Sequence, residues 1–178
     1  MLIACLCVGT MAFAPEVIYV FAGERYLDAI YVIPPVSISV LFIFIYSLFS
    51  TIEYYYQRTK LISAATCICA GLNLILNFVF IKIYGYYAAG YTTLVCYIFL
   101  ALVHYLFYRK VLKEENISED IYDSKTIFAV SAVSIFLMLI MTIVYKKIVV
   151  RYAIVLIVLI VLMLNWKKIK NMLLVVKK

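Results

Sequence analysis

The stretch YAIVLIVLIVLML, Tyr152 to Leu164, runs thirteen residues without a charge, an amide or a proline. A strand of a membrane barrel would alternate polar and apolar side chains along such a run, and no alternation is present. Nor does the run show the polar stripe of a surface helix. A helix apolar on every side belongs in lipid, where each backbone N–H and C=O must find its partner inside its own segment. Working outward, five more segments of this kind precede it, at 2–22, 29–52, 61–81, 86–108 and 126–145, and the last extends over 152–166. A helix needs about 20 residues to cross the hydrocarbon. The first five meet that length. The sixth reaches it only if Val149 and Val150 join and Arg151 snorkels outward. The expected fold is therefore all-α, a polytopic bundle of six membrane helices.

Composition agrees. The 178 residues are 68% hydrophobic and 14% charged, with a mean hydropathy of +1.11. A soluble domain is roughly 45–50% apolar and about 25% charged, so a soluble enzyme and a soluble binding module are both excluded. The net charge of +7 is not a nucleic-acid footprint, because the cations sit between apolar runs and in a terminal tail. Cys5, Cys7, Cys67, Cys69 and Cys96 all lie within apolar runs. An i, i+2 pair diverges on a helix, so they read as small packing residues rather than a metal clamp.

The segments divide into a four-helix unit (1–108), a charged linker (109–125), a terminal helix pair (126–166) and a basic tail (167–178). Loops 53–60 and 109–125 and the tail carry two, four and five Lys or Arg. The alternate connections 23–28, 82–87 and 146–151 carry one, one and three. The positive-inside bias places both termini in the cytoplasm. The linker then faces the cytoplasm, where its Asn116-Ile117-Ser118 triplet is on the wrong side for glycosylation. Leu2-Ile3-Ala4-Cys5 and Ala12-Phe13-Ala14 imitate processing sites, but no basic region precedes them. Met1 opens almost directly into a membrane helix, and the expectation is a fragment of a longer protein.

Ionisable groups in hydrocarbon are costly and become site candidates. Glu16 follows Pro15, whose ring frees a backbone carbonyl. It is the coupling-ion candidate, although a carboxylate at the outer interface paired with a neighbour such as Arg25 is the simpler reading. Thr59, Ser63, Thr66, Ala70, Asn73 and Asn77 form one face of helix three, suited to packing or to lining a path. His104, the sole histidine, has no carboxylate on its own helix and reads as an interfacial hydrogen-bonder rather than a proton relay. Pro34 and Pro35 predict a kink or a plain helix start. Gly85 marks a turn, and Ala88, Ala89 and Gly90 a close-packing surface. Arg58 and Lys60 at the cytoplasmic mouth suit lipid phosphates, as headgroup anchors or substrate contacts. Helices five and six have almost no polar content and are expected to be peripheral. No catalytic, metal or cofactor constellation is present, which argues against an enzyme.

Ala14-Pro15-Glu16-Val17-Ile18, Gly23, Tyr26 and Ala29, Pro34-Pro35, Lys60, Asn73, Asn77 and the run Tyr84 to Leu94 together resemble a segment of the bacterial polysaccharide flippases. These belong to the MATE-like multidrug, oligosaccharidyl-lipid and polysaccharide exporter superfamily. The likeness covers about residues 10–110, and Ala88-Ala89-Gly90 stands where Gly-Ala-Ala is more usual. It implies a C-terminal part of a two-lobed, multi-pass protein of the bacterial cytoplasmic membrane that flips undecaprenyl-pyrophosphate-linked oligosaccharide. Arg58, Lys60, Asn73 and Asn77 become its cavity candidates. The missing N-terminal lobe, or a partner chain, would be needed for rocking, so the chain by itself is expected to be inactive. Two rivals stand beside this reading. One is a scaffold subunit of a glycan-assembly complex that transports nothing. The other is a MATE-type antiporter fragment, for which only Glu16 supplies an acidic group.

Overall fold

A computed structural model describes residues 2–117, 120–145 and 147–164. The expected basic tail, Ser118 of the glycosylation triplet and the last two residues of the sixth segment lie outside them. Among the described residues there are six α-helices and no strand. They are α1 (Leu2–Ala22), α2 (Ile33–Tyr55), α3 (Thr59–Tyr84), α4 (Tyr87–Glu114), α5 (Ser124–Val144) and α6 (Ile148–Leu164), with a short 3-10 helix, Glu24–Tyr31, between α1 and α2. The first five are long and apolar enough to cross a bilayer. α6 has 17 residues, at the lower end of the spanning range.

Local sequence explains the boundaries. Pro34 and Pro35 occupy the first turn of α2, where a missing N–H costs nothing and φ is already helical. They start the helix and do not kink it. Gly85 ends α3 at φ 73°, and its N–H bonds Ile81 O at 2.9 Å. Gln57 (φ 57°) and Asn116 (φ 56°) end α2 and α4 in the left-handed region. At each, the following N–H reaches back five residues, Arg58 to Glu53 O and Ile117 to Leu112 O, the pattern of a Schellman cap.

The expected linker 109–125 is shorter than its charge suggested. Arg109, Lys110, Lys113 and Glu114 belong to α4, because Arg, Lys and Glu are good helix formers once the chain leaves the lipid. Tyr108, fully buried, accepts the N–H groups of Ile121 and Tyr122 and ties the remaining linker to α4. Asp123 caps α5 by accepting Thr126 N–H at 3.2 Å and its hydroxyl at 2.5 Å. Those bonds hold the Asp123 carboxyl below its usual range. The cap therefore contributes fully above the ordinary carboxylate value and is lost as pH falls through the lower folded value. Acidification below about pH 4 is expected to fray the start of α5, read as faster amide exchange at Thr126 than at mid-helix positions.

α2 and α4 form the centre. Pro35 touches α4 near Gly90 at one end, and Glu53 meets His104 at the other, so the two helices run parallel. This is the arrangement that alternate threading with α3 between them requires. Ile38, Leu41, Phe42, Ile45 and Phe49 of α2 share one core with Cys7, Met11 and Ala12 of α1, Leu94 and Tyr108 of α4, and Met138 and Met141 of α5. α3 rests on α4 through Ala65, Cys69, Cys96 and Leu100. The cysteines are free. The thiols of Cys7 and Cys69 donate to Ser37 O and Cys96 O across helix contacts.

α5 leaves most of its surface open, as the peripheral expectation has it, and sets one face, Ser131, Ser134, Met138 and Met141, against the bundle. Its buried Ser131 and Ser134 return their hydroxyls to the carbonyls of Ile127 and Val130. A serine satisfied by its own helix is simply a small residue to its neighbour. The most open of the long helices is α3, whose buried residues are confined to Ile62, Ala65 and Cys69.

Candidate functional site

Polar groups gather at three places in the bundle. The first joins α3 to α4. Asn77 Nδ2 donates to Asn73 Oδ1 at 2.9 Å, and the buried Thr92 hydroxyl donates to Asn77 Oδ1 at 2.5 Å. Both amides remain half-exposed, and Thr59, Ser63, Thr66 and Ala70 of the same face are exposed. The buried side of α3 lies roughly a quarter turn away from this stripe, so the other helices do not cover it. Arg58 and Lys60 stand at the opposite end of α3 from the amides. Arg58 is paired with Glu114 at 2.8 Å and Glu115 at 3.7 Å, and Lys60 is exposed. The four cavity candidates are thus not brought together.

The second place lies between α2 and α4. His104 Nδ1 is 2.7 Å from Glu53 Oε1, and both side chains are 0% exposed. Tyr46 stacks on the imidazole at 5.6 Å, and Phe107 meets it edge-on at 6.3 Å. Among the described residues, Glu53 Oε2 and His104 Nε2 have no hydrogen-bond partner. Sequence reasoning left Glu53 in a loop and His104 without a carboxylate. α2 continues through Tyr55, and that places Glu53 on the face of Phe42, Ile45 and Phe49, at steps of three and four residues. The periodicity was the available signal. The charge interrupted the apolar count before that periodicity reached it.

The third place lies where the α5–α6 connection meets α1. Pro15 sits inside α1 and cannot donate to Met11 O, four residues back. The Tyr145 hydroxyl supplies the missing donor at 2.9 Å. The carbonyl that Pro15 leaves free is thereby satisfied from outside α1. Glu16 accepts from the Arg151 guanidinium and, at 2.8 Å, from the Tyr152 hydroxyl. Its partner is therefore Arg151 and not Arg25, which is exposed. Arg151 itself does not snorkel. It is 3% exposed, because a carboxylate on α1 satisfies it within the protein. Tyr145→Phe would leave the fully buried Met11 carbonyl unpaired, at a cost of about 1–3 kcal/mol. A lower midpoint in an SDS-unfolding titration of the full chain in detergent is the expected reading.

No protein-family model, curated protein or solved structure matches the chain. The fold and the five bilayer-length apolar helices define a multi-pass membrane helix bundle.

Proposed function

We propose that the chain is the C-terminal part of a flippase that moves lipid-linked oligosaccharide across the bacterial cytoplasmic membrane, with both termini on the cytoplasmic side, and that it works only with a complementary lobe. One observation carries this reading. Among the described residues the stripe from Thr59 to Asn77 meets another helix only where Thr92 of α4 reaches Asn77, and Thr59, Ser63 and Thr66 are exposed. The Thr66 hydroxyl is returned to Ile62 O, but the half-exposed amides of Asn73 and Asn77 are poorly placed against lipid tails. A second lobe across a water-filled cleft would receive them, and rocking of two lobes about such a cleft is how alternating access works. The resemblance of residues 10–110 to polysaccharide flippases supplies the substrate class, and the charge bias of the loops supplies the orientation.

The test co-produces the chain with N-terminal halves of polysaccharide flippases in a strain lacking its own flippase. The expected result is restored surface glycan with at least one half. In a chain carrying Cys67→Ser, a cysteine at Ser63 or Thr66 should also lose maleimide reactivity when that half is present. Failure of every half to restore export, with both cysteines labelled equally throughout, overturns the proposal. Cross-linking to a glycosyltransferase under those conditions would favour the scaffold.

A further inference from the structure

The Glu16–Arg151 contact contains more hydrogen-bonding capacity than it uses. Among the described residues, the Arg151 Nε and Glu16 Oε2 atoms are both buried and unpartnered. A guanidinium presents its donors as a rigid fork suited to two oxygens of one anion, and here one prong is idle. The pair lines a cleft of about 450 Å³ bounded by Pro15, Tyr19, Leu27, Tyr145 and Ile148. That volume lies within the usual range for ligand sites. The Glu16 side chain is 37% exposed and Arg151 3%, so the cation lies deeper than its partner, whose Oε2 is itself buried. Arg151 lies in the first turn of α6, where the helix dipole adds to the attraction for anions. Lys147, one turn earlier, is exposed. The site stands beside the turn between Val144 of α5 and Ile148 of α6, and a turn between two spanning helices belongs at headgroup depth.

We infer that Arg151 is the core of an anion site for the phosphate of an anionic phospholipid, with Glu16 as a built-in competitor that the phosphate displaces. A phosphodiester brings two oxygens to the fork and engages Nε as well as the terminal nitrogens, whereas Glu16 leaves Nε unused. Tyr152, freed from Glu16, keeps its hydroxyl at the rim. The acyl chains would follow the exposed apolar surface of α1 and α6, Val17, Val20, Ile148 and Val149. The site rests on the α1–α6 geometry alone and does not depend on the flippase reading.

The two partners make opposite predictions. Native mass spectrometry of the full chain in detergent would measure retention of phosphatidylglycerol against diacylglycerol, which has the same tails and no phosphate. The wild type is expected to prefer phosphatidylglycerol. Arg151→Gln should weaken that preference by about tenfold or more, and Glu16→Gln should strengthen it by a similar factor, since losing one charge-assisted bidentate contact or its competitor is worth at least about one decade. The double variant E16Q/R151Q removes both charges and leaves neither partner as an unpaired buried ion. It should fold by circular dichroism and show no preference, which keeps the test valid if a single variant fails to fold. Phosphatidylglycerol retention unchanged in Arg151→Gln or in the double variant, or reduced in Glu16→Gln, overturns the site. Displacement of the lipid by inorganic phosphate at equal affinity would identify free phosphate as the ligand and overturn the lipid assignment.

Discussion

Glu53→Leu is expected to cost about 3–5 kcal/mol, the usual penalty for breaking one side of a buried pair, while E53L/H104L recovers most of that loss. The reasoning starts from burial. Neither side chain has any exposed surface, and each already has one unpartnered polar atom. Removing the carboxylate leaves Nδ1 of His104 without a partner among Tyr46, Phe107 and the α2–α4 core. With the ring wholly buried, losing that bond exposes the desolvation penalty of the imidazole. Replacing both residues by leucine removes both polar groups and restores apolar contact between the same helices. Exchanges of that kind are near neutral or stabilising in other buried pairs. A double-mutant cycle in SDS-unfolding midpoints measures the coupling. Equal losses in the single and the double variant would mean that packing volume, not the pair, holds this end of the bundle.

The fate of that pair shows what a single sequence can and cannot tell. The apolar runs are legible because hydropathy is a property of one segment, and so are the Gly85 turn and the polar face of α3, whereas Pro34-Pro35 leaves a kink and a plain helix start equally open and the structure shows the start. Partners were not. Glu53 and His104 are 51 residues apart, and Glu16 and Arg151 are 135 apart. No local pattern links them until the helices are packed. Both errors had the same physical source. A charge near the end of an apolar run reads as turned to solvent, which leaves Glu53 in a loop and points the Arg151 side chain outward. In the folded chain each is an inward-facing residue satisfied by another helix. The one packed face of α5 is hard to see in the sequence for a related reason, since serines bonded to their own backbone do not register as a packing face.

The opposite end of the α2–α4 contact depends on having no side chain at all. A Cβ added to Gly90 would lie 3.1 Å from Val32 Cγ1, 3.2 Å from Pro35 Cγ and 3.3 Å from Val32 O. Val32 has a side chain that can rotate, but the other two neighbours cannot yield. Pro35 is a closed ring, fully buried in the first turn of α2, and Val32 O accepts the Val36 N–H at 3.3 Å. Gly90→Ala therefore sets a gain of about 1 kcal/mol in helix propensity against this crowding, and a small net change is expected. Gly90→Leu has the same crowding and three further carbons to place. It should cost about 3 kcal/mol, the upper end for overpacking, because the two helix axes must part. Gly71 of α3 is the internal control, with nothing within 4 Å of its added Cβ. Gly71→Leu is expected to leave the SDS-unfolding midpoint of the full chain unchanged or slightly raised. If Gly90→Leu behaves like Gly71→Leu, the close approach at Pro35 is wrong. If it instead lowers the midpoint and Pro35→Ala in the same chain restores it, the ring is the surface against which α4 must lie flat.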